Sequence, residues 1–371
     1  MASSSAAADA SKPAPVDHVD PAKEAAEAAD GEDTTESYKG FGSFHSDNVE
    51  DLIAIPDALY KAPDNLPAFG RAFDDELTKR AAELGRPFTY DEALQVLGRS
   101  LRNTHYGLDP TWTFVNHGAF GGALKHGMAV KRRFEDLMEA QPLAFVDRTL
   151  LPLLVYSTRK LASFIGAKPK DVVLVSNATF GLNAAINAAL RHPTDFVAYL
   201  DTEYGSVWKM MRERCTQVGC SGHEIPLAKH FLDADIIGSD EAVTAYIESQ
   251  LPEKCTTFVI DHLASTSAIG LPVFTHIIPM LKRKGVKNIV VDGAHGPLQH
   301  TLDFEALPPE QRPSIYVGNL HKWVSSPKSV GFIWARPDFQ KHVHSPVVSH
   351  GSRNGYLSEF IWDGTKDYGA Y

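Results

Sequence analysis

Short apolar runs alternate with longer segments of helical periodicity between residues 110 and 345. The runs are rich in Val, Ile and Phe and have the length of buried strands. They predict strands at residues 171–176, 196–200, 256–260, 288–291, 314–317 and 330–335. The segments between them predict helices at residues 125–137, 155–165, 180–190, 206–215 and 273–284. This alternation is typical of an α/β fold in which helices cover both faces of a largely parallel sheet.

The chain before residue 110 has a different character. Residues 1–45 are poor in apolar side chains and predict a disordered tail, because little apolar surface is available to offset the entropy of ordering. Residues 46–110 predict a polar helical extension, with helices at 73–84 and from Thr89 or Asp91, as N-cap, to residue 101. The remaining chain divides into a large domain at residues 111–345 and a final segment at 346–371.

Composition narrows the class of protein. The net charge of −10 and the isoelectric point near 5.9 disfavour a nucleic-acid surface. The sequence has no apolar stretch of about 18 residues, which a membrane span would need. The three cysteines, Cys215, Cys220 and Cys255, form no CxxC motif, so they indicate thiols in a reducing compartment and not a disulfide framework or a metal site. With no targeting pattern at the start of the chain, a cytoplasmic location is predicted.

A lysine and an aspartate follow two of the predicted strands. Asp292 ends the run at 288–291, and Lys322 lies in the polar loop after 314–317. Sheets of this kind bind ligands at the carboxyl ends of their strands. A lysine and a carboxylate placed there suit pyridoxal phosphate, whose aldehyde forms a Schiff base with the amine and whose protonated ring nitrogen pairs with the carboxylate. The alternative is two ordinary strand ends with solvated charges.

The segment at residues 177–183, Asn-Ala-Thr-Phe-Gly-Leu-Asn, joins a predicted strand to a predicted helix. Free N–H groups and the positive dipole end of a helix suit a phosphate, for which Ala178 and Thr179 are the candidate ligands. Alternatively, Asn177 or Thr179 only caps the helix. The absence of GxxxxGK and GxGxxG motifs disfavours a nucleotide. Tyr204, after another predicted strand, offers a ring for stacking on a planar cofactor, or for packing alone.

Several segments together resemble class V of the fold-type I pyridoxal phosphate enzymes, and especially the isopenicillin N epimerases and cysteine desulfhydrase-like proteins. The matching segments are FVNHGAFG at 114–121, NATFGLN at 177–183, DTEYGS at 201–206, IDHLAST at 260–266, VVDGAHG at 290–296, GNLHKW at 318–323, PVVSHG at 346–351 and WDGTKDY at 362–368. They occur in the family's order over residues 110–371. The resemblance implies a large domain built on a mostly parallel seven-stranded sheet, followed by an incomplete C-terminal small domain.

The same resemblance implies roles for individual residues. Lys322 matches the Schiff-base lysine, and Asp292 matches the partner of the ring nitrogen. The other implied cofactor contacts are to the phenolic oxygen (His295, Ser265), to the ring face (Tyr204) and to the phosphate (Thr179, Asn319, His321). Thr365 matches a position that reaches the phosphate of a neighbouring subunit, so the resemblance implies a homodimer with shared active sites.

Two departures from the family pattern bear on activity. Ala119 stands where the family usually has a serine, so a hydroxyl that touches substrate is missing. The family's arginine for the substrate carboxylate belongs to a region after Tyr371, and Arg353 does not match it. Because a carboxylate in a partly dry pocket needs a cationic partner, these departures predict weak or no amino-acid turnover by the chain as given.

The resemblance leaves the reaction open. With a small amino acid bound, the freed amine of Lys322 is the expected base at Cα, and lyases, epimerases and transaminases share this step. Epimerisation also needs an acid on the opposite face, for which Tyr204 is the candidate. The segment at 346–371 favours a cysteine C–S lyase. A non-catalytic scaffold is the alternative from another class of protein, and the complete set of cofactor residues opposes it.

Overall fold

Seven strands form one sheet in the computed structural model, which describes residues 48–64, 79, 81–87 and 99–371. The strands are β1 (Val172–Val175), β2 (Phe196–Leu200), β3 (Ser221–Ile225), β4 (Thr257–Asp261), β5 (Asn288–Gly293), β6 (Ile315–Asn319) and β7 (Gly331–Ala335). Their order across the sheet is β1-β7-β6-β5-β4-β2-β3. Only β7 runs antiparallel to its neighbours, β1 and β6. The other six strands therefore have their carboxyl ends along one edge of the sheet.

The six strands predicted from the apolar runs are all present, and the mostly parallel α/β architecture is confirmed. The seventh strand, β3, has no counterpart in the sequence prediction. It lies at the edge of the sheet, pairs only with β2, and exposes its first four residues. Because only Ile225 of this strand is buried, the sequence Ser-Gly-His-Glu-Ile carries no apolar run to identify it.

The α-helices with defined bounds are, in chain order, α1 (Val49–Ala54), α2 (Arg99–His105), α3 (His117–Phe120), α4 (Lys125–Ala140), α5 (Pro142–Ala144), α6 (Leu150–Phe164), α7 (Ala178–Ala189), α8 (Gly205–Val218), α9 (Ala234–Ile237), α10 (Asp240–Gln250), α11 (Ile278–Arg283), α12 (Pro337–Gln340) and α13 (Tyr356–Ile361). Single π-helical turns precede α6 and α11, at Phe145–Thr149 and Val273–Ile277. Short 3-10 turns occur at Pro169–Asp171, Ala228–His230 and Pro309–Gln311.

The five helices predicted after residue 110 correspond to α4, α6, α7, α8 and the π turn continued by α11. Helix α10 was not predicted. Of the predicted helix at 73–84, residues 79 and 81–84 are described and helical, and the rest lies outside the described residues. The second predicted helix is represented by α2, which ends at His105, beyond the predicted end, and its N-cap candidates Thr89 and Asp91 lie outside the described residues. The predicted tail at 1–45 also lies outside them.

The two faces of the sheet bury different partners. On β6, Val317 packs against Gly181 of α7, where the missing side chain leaves room for the valine methyl groups. Tyr316, the preceding residue, points to the opposite face because side chains alternate along a strand. There it contacts Phe304, which stacks on Trp334 with 4.3 Å between ring centroids. Since both faces are covered, the central strands are buried along nearly their whole length, and most of their residues are apolar.

The described residues all belong to one compact unit, Lys39–Tyr371. Near its end, α13 packs on β1 and α1, and Glu50 accepts hydrogen bonds from the backbone N–H and the hydroxyl of Ser358 at 2.9 and 3.0 Å. The domain boundaries at residues 45, 110 and 345 stay predictions. None of the helices in the described residues combines the length and the apolar character needed to cross a bilayer.

Candidate active site

A hydrogen bond joins Lys322 to His295 beside the buried carboxyl group of Asp292. Lys322 follows β6, and its Nζ lies 2.8 Å from His295 Nε2. Asp292 is the penultimate residue of β5 and is only 3% exposed. Its Oδ1 accepts a hydrogen bond from the N–H of Ala294 at 2.8 Å. The structure thus brings Lys322, Asp292 and His295 together at the carboxyl edge of the sheet.

Burial sets the charges of these groups. It raises the pKa of Asp292 to about 6, and the Ala294 hydrogen bond and the Lys322 charge only partly oppose the rise. It lowers the pKa of Lys322, against the attraction of Asp292 and Asp261. Burial, with the nearby Lys322 charge, lowers the pKa of His295 to about 4. At neutral pH, His295 is therefore a neutral imidazole whose Nε2 accepts the hydrogen bond from Lys322.

Two further carboxyl groups lie beside Asp292, and the sequence analysis missed both. Carboxyl oxygens of Glu203, Asp261 and Asp292 lie within 4.8 Å of one another. Asp261 ends β4 and is paired in register with Asp292, whereas Glu203 lies in the loop between β2 and α8. The sequence signal for Asp261 is the same as for Asp292, a carboxylate at the end of a buried strand. Glu203 carries no such signal, because it follows its strand by three residues.

The start of α7 lies against the end of β6. Asn319 Oδ1 accepts a hydrogen bond from the N–H of Ala178 at 2.8 Å, so the structure places these two predicted phosphate ligands together. Asn177 Oδ1 accepts from the N–H of Phe180 at 2.9 Å and caps the helix. Thr179 is exposed, and in the described part of the chain its hydroxyl has no hydrogen-bond partner. Asn177 is therefore the cap, and the Thr179 hydroxyl remains available as a donor.

His321 is oriented by the backbone at the same edge. Its Nδ1 donates to the carbonyl oxygen of Val330 at 3.1 Å, which leaves Nε2 for a ligand. Burial lowers the pKa of His321, and the carbonyl hydrogen bond opposes this shift. Together with Asn319 and Thr179, it supplies polar groups of the kind that hold a phosphate at a helix start.

An N-terminal strap, which we define as residues 106–124, lies across the loop that carries Lys322. The backbone N–H of Leu124 donates to the carbonyl oxygen of Ser325 at 3.0 Å, and the hydroxyl of Tyr106 lies 3.0 Å from Ser325 Oγ. The Lys328 ammonium donates to the carbonyl oxygen of Gly121 at 3.0 Å. These contacts join segments that are about 200 residues apart in sequence. The strap therefore closes one side of the candidate site.

Gly121→Ala is expected to destabilise the protein by about 2–4 kcal/mol. Gly121 has a φ of +69°, and a Cβ placed on it would overlap the carbonyl oxygen of His321. Gly219→Ala is the control for a positive φ alone, because Gly219 has a φ of +79° and a ψ of 18°, and a Cβ placed on it would have no atom within 4 Å. The control should show only the backbone cost of about 1–2 kcal/mol. Urea unfolding measures both losses, and equal values would contradict the docking of the strap on His321.

The remaining predicted site residues lie outside the group formed by Lys322, His295 and Asp292. Tyr204 precedes α8 and is 48% exposed, Ser265 is half-buried, and Thr365 and Ala119 are exposed. Within the described residues, none of the four is hydrogen-bonded to the lysine, the histidine or the aspartate of the site. The roles proposed for them from the family resemblance stay predictions.

The donor set fits pyridoxal 5′-phosphate from end to end. A buried carboxyl group, Asp292, suits a protonated ring nitrogen. The amine of Lys322 suits an aldehyde, and the neutral His295 beside it suits the adjacent phenolic oxygen. The helix start with the free Thr179 hydroxyl suits the phosphate. The site therefore offers an anion, an amine and an anion-binding helix start. These match the protonated ring nitrogen, the aldehyde and the phosphate of the cofactor.

The sheet and these groups define an α/β protein of the fold-type I pyridoxal phosphate class. A sequence profile described as "Aminotransferase class-V" matches residues 154–362, more than half of the chain. The chain belongs to the class-V aminotransferase family, and its cofactor is pyridoxal 5′-phosphate.

Curated relatives carry names of two activities. "Putative L-cysteine desulfhydrase 1" of Oryza sativa subsp. japonica is 30% identical over 270 residues, which cover 69% of this chain and 54% of the rice protein. "Isopenicillin N epimerase" of Amycolatopsis lactamdurans is 28% identical over 249 residues, covering 66% of this chain and 59% of that protein. The chain thus spans about half the length of the curated relatives it matches.

Solved structures share the fold. The cystine C–S lyase C-DES, in complex with cysteine persulfide, has a TM-score of 0.59 at 18% identity, with 73% of this chain and 70% of that chain covered. The apo cysteine desulfurase of Thermococcus onnurineus NA1 has a TM-score of 0.57 at 17% identity, with coverages of 74% and 68%. At these identities the similarity establishes the fold, and the seven-stranded sheet expected from the family resemblance is confirmed.

Thr179→Ala is expected to weaken cofactor affinity by about ten- to a hundredfold, the effect of losing one hydrogen bond to a charged group. Unfolding stability should not change, because the hydroxyl has no partner among the described residues. Asn177→Ala is the matched variant: it removes the helix cap and should lower stability by about 0.5–2 kcal/mol. Cofactor titration and urea unfolding of both variants separate the two roles. An unchanged cofactor dissociation constant in Thr179→Ala would contradict the phosphate contact.

Proposed function

We propose that this protein is a C–S lyase that acts on a small amino acid, most simply cysteine, in a desulfhydrase-like β-elimination. The observation that carries the proposal is the 2.8 Å contact between Lys322 Nζ and His295 Nε2 at the strand end beside the buried Asp292. Relatives named L-cysteine desulfhydrase, at 30% and 29% identity, support the choice of reaction. The 346–371 segment, with its WDGTKDY sequence, supports it further.

Each site residue would have its own role in this reaction. The cofactor supplies a protonated ring that accepts electrons from Cα. Lys322, whose pKa burial lowers, takes the Cα proton on Nζ. The Cβ–S bond then breaks and sulfur leaves. With one water, cysteine gives pyruvate, ammonia and hydrogen sulfide. Asp292 keeps the ring nitrogen protonated through its negative charge, and His295 holds Nζ at the reacting edge.

Epimerisation is the second candidate reaction, and the isopenicillin N epimerases among the relatives favour it. It uses the same proton removal by Lys322 but returns a proton to the opposite face of Cα. That step needs an acid on that face, and Tyr204, exposed beside the site edge, is the candidate in this chain. Catalysis by Tyr204 belongs to this alternative.

The proposal includes a homodimer with shared active sites. Its support is the match of Thr365 to a position that contacts a neighbour's phosphate, together with the exposure of Thr365. The cytoplasmic location belongs to the same proposal. Sedimentation of the protein with cofactor tests the assembly, and a monomer at micromolar concentration would contradict it.

Turnover of the protein loaded with pyridoxal 5′-phosphate tests the reaction. Sulfide, pyruvate and the D-isomer are measured together after addition of L-cysteine. We expect sulfide and pyruvate in equal amounts, formed slowly as the replacement of the family's serine by Ala119 predicts, and no D-cysteine. D-cysteine without sulfide would replace the lyase by the epimerase. Neither product, in a protein that binds cofactor, would support the non-catalytic alternative.

A further inference from the structure

The group formed by Glu203, Asp261 and Asp292 is more acidic than the cofactor's ring nitrogen requires. Their carboxyl oxygens lie within 4.8 Å of one another. Asp261 and Asp292 lie at the ends of the adjacent strands β4 and β5, and Glu203 lies in the loop after β2. Glu203 is only 7% exposed, and its carboxyl group lies against the side chain of Asp261. Oδ2 of Asp261 is buried without a hydrogen-bond donor among the described residues. Glu203 and Asp261 are therefore a buried pair of carboxyl groups beside Asp292.

The surroundings offer little positive charge for three carboxylates. The neighbouring titratable groups from β4, β5 and β6 are Lys322, His295, His262 and Tyr316. Burial lowers the pKa of His262 to about 3 and that of His295 to about 4, so both rings are neutral. Burial and the Asp292 charge raise the pKa of Tyr316, which is also neutral. Lys322 is then the cation of this set.

One ammonium group does not balance three buried carboxylates, so the group retains protons. Burial and the Asp292 charge raise the pKa of Glu203 well above its ordinary value. Burial and the charges of Glu203 and Asp292 do the same for Asp261. Like charges held this close do not ionise together, so the adjacent carboxyl groups of Glu203 and Asp261 favour a form in which one of them keeps its proton.

We propose that Glu203 and Asp261 are positioning residues that hold a shared proton behind Asp292 and release it when the protonated ring nitrogen of the cofactor binds to Asp292. The incoming positive charge favours the ionised forms of all three carboxyl groups. The released proton couples binding to pH, so cofactor affinity rises with pH. This inference rests on the proposed role of Asp292 at the ring nitrogen.

Cofactor affinity as a function of pH tests the inference. Dissociation constants for pyridoxal 5′-phosphate are measured between about pH 6 and pH 9 for the wild type and Glu203→Gln. Each proton released adds a factor of about ten per pH unit to the affinity. We expect the slope to be smaller in Glu203→Gln by up to one proton. Titration of the cofactor and of Lys322 contributes equally in both proteins, so it cancels when the two pH slopes are subtracted.

The matched control is Asp171→Asn. Asp171 is also buried and its pKa is also raised by burial, but it precedes β1 at the opposite edge of the sheet. In Asp171→Asn, the slope of cofactor affinity against pH should equal that of the wild type. Glu203→Asp retains a carboxyl group and should restore part of the slope. Equal slopes in the wild type and Glu203→Gln would overturn the inference.

Stability without cofactor gives a readout that a merely structural role would not produce. Carboxyl groups whose pKa is raised by folding stabilise the protein at low pH, and this contribution is lost as pH rises through the folded-state pKa. Glu203→Gln removes one such group. Its unfolding midpoint should therefore fall less steeply with pH than that of the wild type, and should be higher at about pH 8. A lower midpoint at every pH, with an unchanged slope, would show a structural role only and overturn the inference.

Three further outcomes separate this inference from competing explanations. If Mg²⁺ or Mn²⁺ raises the midpoint of the wild type but not of Glu203→Gln, the three carboxyl groups are metal ligands and the inference is overturned. If Asp292→Asn does not alter cofactor affinity or activity, the proposed site fails with it. If Asp292→Asn impairs the protein but Glu203→Gln leaves the pH slope unchanged, only the present inference fails.

Discussion

Lys322→Ala is expected to abolish the borohydride-sensitive visible absorbance of the protein loaded with pyridoxal 5′-phosphate. Turnover should fall by at least about a thousandfold, because the same amine is the attachment point and the base at Cα. Lys322 is half-buried and has its Nζ 2.8 Å from His295 Nε2. Absorbance before and after borohydride, followed by mass measurement of the reduced peptide, locates the attachment.

Lys328→Ala provides the matched control for this variant. Lys328 lies in the same part of the chain, but it is exposed and donates to the carbonyl oxygen of Gly121. Its replacement should retain the absorbance and loosen only the strap. Attachment of the cofactor to Lys328, or a retained absorbance in Lys322→Ala, would contradict the assignment.

Asp292→Asn is expected to lower kcat by about a hundredfold or more while part of the cofactor stays bound. The substitution removes the negative charge with little change in size. Its side-chain oxygen still accepts the hydrogen bond from the N–H of Ala294. What is lost is the charge that keeps the ring nitrogen protonated. Steady-state rates and visible spectra measured on the same preparation separate the loss of chemistry from loss of cofactor.

The pH profile supplies a second measurement for Asp292. In the protein without cofactor, burial raises the pKa of this carboxyl group to about 6. Cofactor binding requires its ionised form, so affinity should fall as pH drops through this value. Asp292→Asn has no charge to lose and should lack this decline. Asp171→Asn, which removes a buried carboxyl group at the far edge of the sheet, should keep it. Near-normal turnover by Asp292→Asn would contradict the role at the ring nitrogen.

The central part of the fold was predictable because its strands are buried on both faces. Such strands have continuous apolar runs, as in Ile-Val-Val of β5 and Phe-Ile-Trp of β7. The edge strand β3 was missed for the opposite reason, since its exposed side chains impose no apolar pattern. Helix α10 was missed because its apolar face is narrow, with Val243 and Ile247 as its buried hydrophobic residues.

The site was predictable to the extent that it lies at strand ends. That rule identified Lys322 and Asp292 from the sequence, and the family resemblance added His295, which the structure places against Lys322. Glu203 was missed because its position depends on how a loop folds back toward β4 and β5. The strap was missed because its contacts with Ser325 are set by tertiary folding over a long separation in sequence. Neither arrangement follows from local periodicity or spacing.

The strap also constrains when the polypeptide can complete its folding during synthesis. Its residues are synthesised early, and their partners around Ser325 and Lys328 emerge from the ribosome about 200 residues later. During that interval the loop on which the strap docks has not been made. The strap then presents Trp112, Val115 and Phe120, which are exposed even in the folded chain. Contacts of such high sequence separation form slowly, so the strap stays undocked until synthesis passes the loop that carries Lys322.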